Sequence, residues 1–438
     1  MHLLQLATPV IGTQLGMMTL GVVDTIMVGQ LGVKAIGAAA LGNVWVMGTL
    51  IAGMGLVLGI DPLVSQGHGA RDAKQMGFAL QQGFAIALLS SLPIAILWLF
   101  TGPILIALRQ DPEIAWAAHR YALVQLPGIP AFLGFIALRA YLMNRGLMWP
   151  ALWVVIAANA LNAGLNYVFI FGKLGLPAWG VTGAGLATGL TRIFLVIALA
   201  AWIVQFRLYR DAWTGWSRRA VAWSQLRHTL ALGAPIGIQF GLEIWAFQIA
   251  TLLSGWLGAA ELAAGTIVLN LASVSFMVPL GVAIGAAARV GNLIGAGQTR
   301  AAQQSAWIAL GLGAAFMSVF ALLFVLLRRV LPALYTSDPA TVALAAGALP
   351  IAAAFQLFDG TQVVGGAILR GMGRTRPAAL FNLLGYYALA LPLGSWLAFR
   401  MNWGLNGLWF GLAAGLLGVA AALVLWIWRR GPAHLSGD

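Results

Sequence analysis

Twelve apolar stretches follow one another along the chain, at about 4–30, 35–60, 76–101, 116–143, 150–172, 180–205, 229–256, 262–288, 301–327, 340–369, 377–399 and 405–428. Each reaches the ~20 residues a helix needs to cross a bilayer. Charge leaves no other home for them: 61% of the 438 residues are hydrophobic and 8% are charged, with a mean hydropathy of +0.91. A soluble domain is about a quarter charged, so this surface cannot be a water-exposed one. The expected fold is an all-α polytopic membrane protein with twelve transmembrane helices. The first run extends from Leu3 to about Leu31, too long for a signal-peptide core and without a cleavage site, so it is read as the first span.

The formal charge of +13 suggests nucleic acid until the charges are placed. The 24 Lys and Arg stand singly or in pairs between apolar runs, with no basic face to follow a phosphate backbone. Nucleic acid is therefore excluded as a partner, and membrane lipid takes its place. The chain has no cysteine, which removes disulfides, thiolate metal sites and cysteine nucleophiles.

The two halves read as copies. "LATP" at 6–9 matches "LGAP" at 232–235, "VGQLG" at 28–32 matches "SGWLG" at 254–258, and "GHGARDAK" at 67–74 lies over "LIGAGQTR" at 293–300. Asp111-Pro112 pairs with Asp338-Pro339, and Trp179-Gly180 with Trp403-Gly404. All five pairs keep the same order and nearly the same separation. Six helices per copy is an even number, so both halves start on one side of the membrane, a parallel repeat of the kind known among secondary transporters. The expected organisation is an N-lobe over 1–205, a linker over 206–228, a C-lobe over 229–430 and a tail over 431–438. The linker is the one long polar segment, with Arg207, Arg210, Asp211, Arg218, Arg219 and Arg227.

Basic residues orient the helices. About 16 fall on the linker side, including Arg71, Lys74, Arg139, Arg145, Arg289, Arg300, Arg370, Arg374, Arg376, Arg429 and Arg430, and about seven on the other, from Lys34 to Arg400. Both termini and the linker are thus expected in the cytoplasm, in a bacterial inner membrane.

Three of the 11 acids lie inside spans: Asp24 in the first, Glu243 in the seventh and Asp359 in the tenth. A carboxylate there costs several kcal/mol, on the order of 3 by insertion scales, and such groups mark ion or substrate paths. The plain alternative is a protonated acid that only holds helices together. Neutral neighbours favour the first reading. Gln356, Asp359 and Gln362 recur every three residues and share a helix face, Gln239 and Glu243 are four apart, and Asn159, Asn162 and Asn166 form a third stripe. Asn43 and Asn270 lie within spans two and eight. Amides of this kind line a wet cavity or glue helices, and the two roles are compatible. Arg192 is the one basic residue deep in a span, free either to pair with an acid or to approach a surface. Prolines inside spans (Pro93, Pro127, Pro130, Pro235, Pro279, Pro350, Pro392) read as kinks.

Soluble chemistry is missing. No GxxxxGK[ST] loop is present for ATP, no HExxH for zinc, and the five histidines are dispersed. No enzyme activity and no cofactor are expected.

The segments "GVVDTIMVGQLG" (21–32), "LEIWAFQIATLLSGWLG" (242–258) and "NLASVSFMVPLGVAIGAAARVGNLIGAG" (270–297) closely resemble those of the multidrug and toxic compound extrusion (MATE) transporters. The resemblance covers nearly the whole chain and is greatest to the NorM-like branch; the DinF branch carries an aspartate in span five, where this chain has only asparagines. It implies a cation-coupled antiporter, driven by Na⁺ or H⁺, that expels small organic cations by alternating access between two lobes. It also implies that Asp24, Glu243 and Asp359 are the coupling carboxylates, with Gln239, Gln356, Gln362 and the asparagines as polar support. Phe355 stands one turn before Asp359, where some relatives offer a tyrosine.

The physics agrees independently. Burial favours the neutral form of a carboxyl, which regains neutrality by taking a proton, a Na⁺ or an organic cation. Na⁺ asks for several oxygen ligands, and Glu243 and Asp359 are the candidate metal ligands, with amide oxygens beside them. The rivals are a lipid-linked oligosaccharide flippase of related fold, which needs a cationic groove that the acids here do not supply, and a membrane channel, which would not need an internal repeat. The expected working unit is a monomer.

Overall fold

The computed structural model describes residues 2–437, and the side chains of 6–32 and 34–435. Every regular element among them is helical: α1 (His2–Gly29), α2 (Val33–Val57), α3 (Asp61–Gly69), α4 (Ala73–Leu99), α5 (Thr101–Ala107), α6 (Pro112–Leu123), α7 (Gly128–Met143), α8 (Trp149–Phe171), α9 (Gly180–Gln205), α10 (Trp223–Leu257), α11 (Ala259–Gly295), α12 (Thr299–Leu326), α13 (Val330–Ala333), α14 (Pro339–Gly371), α15 (Thr375–Leu383), α16 (Leu391–Ser395) and α17 (Gly404–Arg430). Two π-helical stretches, Leu384–Ala390 and Trp396–Arg400, flank α16. Eleven helical stretches are long and apolar enough to cross a membrane, and α6 with α7 make a twelfth, bent by 56°. The bend falls where Pro127 caps α7, since the ring cannot continue the hydrogen-bond ladder of α6. Large side chains such as Leu88, Leu92, Leu326 and Trp428 point outward, as lipid-facing positions require.

Residues Gly12–Gly237 form one compact unit, and Met1–Ile11 with Ile238–Asp438 form the other. Both divisions fall inside helices. The start of α1 packs with the C-terminal unit, where a Cβ on Gly281 would meet Ile11. The start of α10 packs with the N-terminal unit, where the backbones of Gly55 and Gly237 touch and Thr229 donates to Gln82 at 2.6 Å.

The linker is tied down. Gln81 donates to the carbonyl of Gly215 at 2.8 Å and accepts from the amide of Ser217 at 2.8 Å, and the Tyr141 hydroxyl donates to the Ala212 carbonyl at 2.9 Å.

The backbone itself repeats. Gly32 and Gly258 have φ of 105° and 153°, Arg71 and Gly297 57° and 73°, Gly146 and Gly373 80° and 74°, and Gly180 and Gly404 55° and 54°. These left-handed positions end or begin corresponding helices, where glycine costs least. Asp111 and Asp338 play one role twice: each accepts backbone amides at the start of its helix, α6 or α14, with proline next.

Candidate functional site

In the N-terminal unit the polar residues meet because α1 lies close to α8. A Cβ at Gly16 would come within 2.7 Å of Val155 Cγ1, so only glycine admits this approach. Asn159 uses the proximity to donate to the Gly16 carbonyl at 2.9 Å. One turn and two turns on, Asn162 and Asn166 are fully buried. Asn166 Nδ2 donates to Asp24 Oδ1 at 2.5 Å and to Asn162 Oδ1 at 3.1 Å. Asp24 Oδ2 accepts the hydroxyl of Thr188 on α9 at 2.7 Å, and Asn162 reaches Thr191 at 3.4 Å. Helix α9 comes near α8 because Gly183 leaves room for the Phe169 carbonyl, which a Cβ would strike. Three elements thus hold one half-buried carboxyl. Arg192, one turn beyond Thr188, is buried with its guanidinium 5.2 Å above the Phe132 ring.

The C-terminal unit gathers its acids differently. Helix α14 packs along α11, α12 and α17 and buries Gln356, Asp359 and Gln362 together. Gln362 Nε2 lies 3.4 Å from Glu243 Oε2 and 3.4 Å from Asn382 Oδ1. Gln356 Nε2 donates to the Ser275 hydroxyl at 2.5 Å. The Glu243 and Asp359 carboxyls lie within electrostatic range of each other, and the Tyr386 hydroxyl within range of both. Asp359 Oδ1, Gln356 Oε1, Gln362 Oε1 and the Tyr386 hydroxyl are buried without a hydrogen-bond partner. A buried polar atom left so costs about 1–3 kcal/mol. Oxygens that lack donors are what a bare cation seeks. No cluster of three or more His, Asp or Glu gathers among the described residues, so a cation here would draw on amide and hydroxyl oxygens besides the two carboxylates.

Aromatic rings wall this second cluster. Phe247 packs edge-on against Phe355 at 5.9 Å and Tyr386 at 6.0 Å, and Phe355 against Trp409 at 5.5 Å.

The structure therefore joins Asp24 to Asn162 and Asn166, and Glu243 to Asp359 and Gln362. Asn159 braces the first network from outside. Gln239 lies on α10 beside Gly366 of α14, where a Cβ would come 3.0 Å from its Nε2. Asn43 and Asn270 occupy matching places in α2 and α11, with exposed side chains, and belong to neither network. Sequence reading missed Thr188, Ser275, Asn382 and Tyr386. The hydroxyls gave no signal, since a lone Ser or Thr in a membrane helix ordinarily donates to the carbonyl one turn back, and the Ala184 carbonyl lies 3.0 Å from the Thr188 hydroxyl as the alternative acceptor to Asp24. Tyr386 sits in a π-helical stretch, a distortion that frequently marks functional places.

Comparison with known proteins adds sequence and fold likeness. The MatE family's sequence model matches residues 9–168 and 235–396. The chain is 39% identical over 429 residues to a "Probable multidrug resistance protein NorM" of Bradyrhizobium diazoefficiens, covering 96% of this chain and 91% of that one. It is 35% identical over 434 residues to "Multidrug and toxin extrusion protein 1" of Xenopus tropicalis, covering 98% of this chain and 75% of the relative. Its fold superposes on the crystal structure of the eukaryotic MATE transporter AtDTX14 with a TM-score of 0.90 at 24% identity, over 99% of this chain and 96% of the other.

Proposed function

The chain belongs to the MATE family, and from that premise we propose that it is a Na⁺-coupled antiporter exporting small organic cations. One observation carries the coupling: the unpartnered oxygens of Gln356, Asp359 and Gln362 along one face of α14, with Glu243 beside them. A hard cation wants several oxygens at once, and this face offers them with a net negative charge. An organic cation answers the same charge and finds the Phe247, Phe355 and Trp409 rings as an apolar wall. Ion and drug then compete for the same carboxylates. Linkage requires each to weaken the other by the same factor, so loading one from outside releases the other. The names of the two relatives above, multidrug resistance and toxin extrusion, support the substrate class. In this reading Asp24 is a second cation point in the N-terminal unit. Alternating access between the two units moves the cargo, both termini and the linker face the cytoplasm of a bacterial inner membrane, and a monomer is the working unit.

The decisive measurement uses proteoliposomes at fixed pH. An inward Na⁺ gradient is expected to drive export of a cationic dye such as ethidium, and Glu243→Gln to erase the dependence on Na⁺. Export that follows a pH gradient and ignores Na⁺ would assign the coupling to protons. Export that responds to neither gradient would refute antiport.

A further inference from the structure

Arg192 is an anomaly in the N-terminal unit. It is 3% exposed, and its terminal nitrogens Nη1 and Nη2 are buried without a hydrogen-bond partner. Guanidinium keeps its charge in proteins, so burial does not neutralise it. What holds the charge is the Phe132 ring at 5.2 Å. Among the described residues, Asp24 and Tyr121 are ionisable groups whose charges act on it. Its place on α9 matters: Arg192 is one turn from Thr188, whose hydroxyl already binds Asp24 Oδ2, and residues four apart share a helix face. Asp24 accepts two hydrogen bonds, and an ionised carboxylate has about four lone-pair sites. Lone pairs are left on the carboxylate for a guanidinium fork, the geometry that pairs best with it.

We propose that Arg192 is a tethered cation that substitutes for the transported cation at Asp24. When a cation binds Asp24, the guanidinium stays over Phe132, the position it has in this structure. When the cation leaves, the guanidinium turns one turn down α9 and forks onto the carboxylate, so the emptied network is never a bare buried anion. A cation that binds Asp24 has to displace a built-in competitor. Arg192 is thus a positioning residue that sets how much cation is needed to load the N-terminal unit. The inference rests on the reading of Asp24 as a cation point, and goes beyond it by assigning what occupies that point when it is empty.

The test is the cation concentration giving half-maximal dye export by the full-length protein in proteoliposomes, measured for Na⁺ at fixed pH and for H⁺ without Na⁺. Arg192→Met keeps an apolar stem and removes the competitor, and should lower the half-maximal concentration of the coupling cation about tenfold or more, as removal of a nearby unit charge in low dielectric implies. Arg192→Lys, which restores the charge, should return it toward the wild-type value. Phe132→Leu removes the resting place and should move it the other way, which keeps the question decidable if Arg192→Met fails to fold. In an Asp24→Asn background none of these changes should move the midpoint. An unmoved midpoint in Arg192→Met with transport intact, or the same shift in the Asp24→Asn background, would overturn the proposal. If wild-type export depends on no cation, antiport and this inference fall together; if it does and only the arginine variants are silent, the inference alone falls.

Discussion

Thr188 donates its hydroxyl to Oδ2 of Asp24 at 2.7 Å across 164 residues of sequence, and this bond fixes the carboxyl between α1 and α9. Thr188→Val keeps the shape and removes the donor. A hydrogen bond to a charged group is worth ~1.5–3 kcal/mol, so the half-maximal coupling-cation concentration is expected to change about tenfold while the protein still inserts. Asp24→Asn should shift that concentration more and also lower dye export, since it removes the charge and not only one of its partners. Equal export from wild type and both variants would make the network a structural brace.

Glu243→Gln and Asp359→Asn should each reduce efflux of a cationic dye to the background of empty vesicles. Both substitutions keep volume and delete charge, and neutral replacement of buried charge is usually tolerated by the fold. Size-exclusion profiles and melting midpoints of the purified variants should therefore stay close to those of wild type. Wild-type efflux from both variants would make the acids of the C-terminal unit structural.

Tyr386→Phe tests the unpartnered hydroxyl. No hydrogen bond within the protein is lost, so stability should hold or rise. If the hydroxyl is an oxygen for the cation, the half-maximal Na⁺ should rise about fivefold, near ~1 kcal/mol. An unchanged Na⁺ dependence would remove Tyr386 from the site and leave the carboxylates in it.

The twelve spans were legible because bilayer length and apolarity are local properties of a run. The break between α6 and α7 was legible only as Pro127, one proline among several, because the apolar run passes through it without interruption. The acids stood out because charge in an apolar run is conspicuous. Their partners did not. Thr188 meets Asp24, and Ser275 meets Gln356, only through packing of helices distant in sequence. The repeat could not supply them either. In the register of Gly32 and Gly258, Asp24 falls opposite Ala250; in that of Asp111 and Asp338, Asp359 falls opposite Phe132; in that of Gly180 and Gly404, Arg192 falls opposite Leu416. The two halves share a backbone plan and differ in chemistry. The same copy position holds a carboxylate in one unit and, in the other, the ring beneath a guanidinium.

Asp338 gives a pH dependence outside the membrane. Hydrogen bonds from the Thr341 hydroxyl and amide, at 2.6 and 2.9 Å, hold its carboxyl below the ordinary carboxylate range. A group whose folded value is lowered stabilises the fold above its unfolded value, and the contribution is lost as pH falls through the folded one. Hydrogen-exchange protection in the first turn of α14, corrected for intrinsic rates, should therefore weaken below about pH 4. Asp338→Asn, an equally good cap without a titrating group, should show no such decline. Identical pH profiles would mean that the cap contributes nothing through its charge.

The linker offers a test of topology that needs no transport. Arg218 and Arg219 are exposed in a segment that Gln81 pins through Gly215 and Ser217. Trypsin added to inside-out vesicles should cut there, and trypsin outside right-side-out vesicles should not, if the linker is cytoplasmic. Gln81→Leu removes both bonds, each worth ~1 kcal/mol net, and opening of a pinned segment tracks the free energy that holds it. Cleavage in inside-out vesicles should then quicken by about tenfold or more. The Tyr141 bond to Ala212 still anchors the start of the linker, so the new sensitivity should centre on Arg218 and Arg219 and spare Arg207 and Arg210. Cutting from the outer face would invert the orientation, and an unchanged rate in Gln81→Leu would show that the pin does not limit opening.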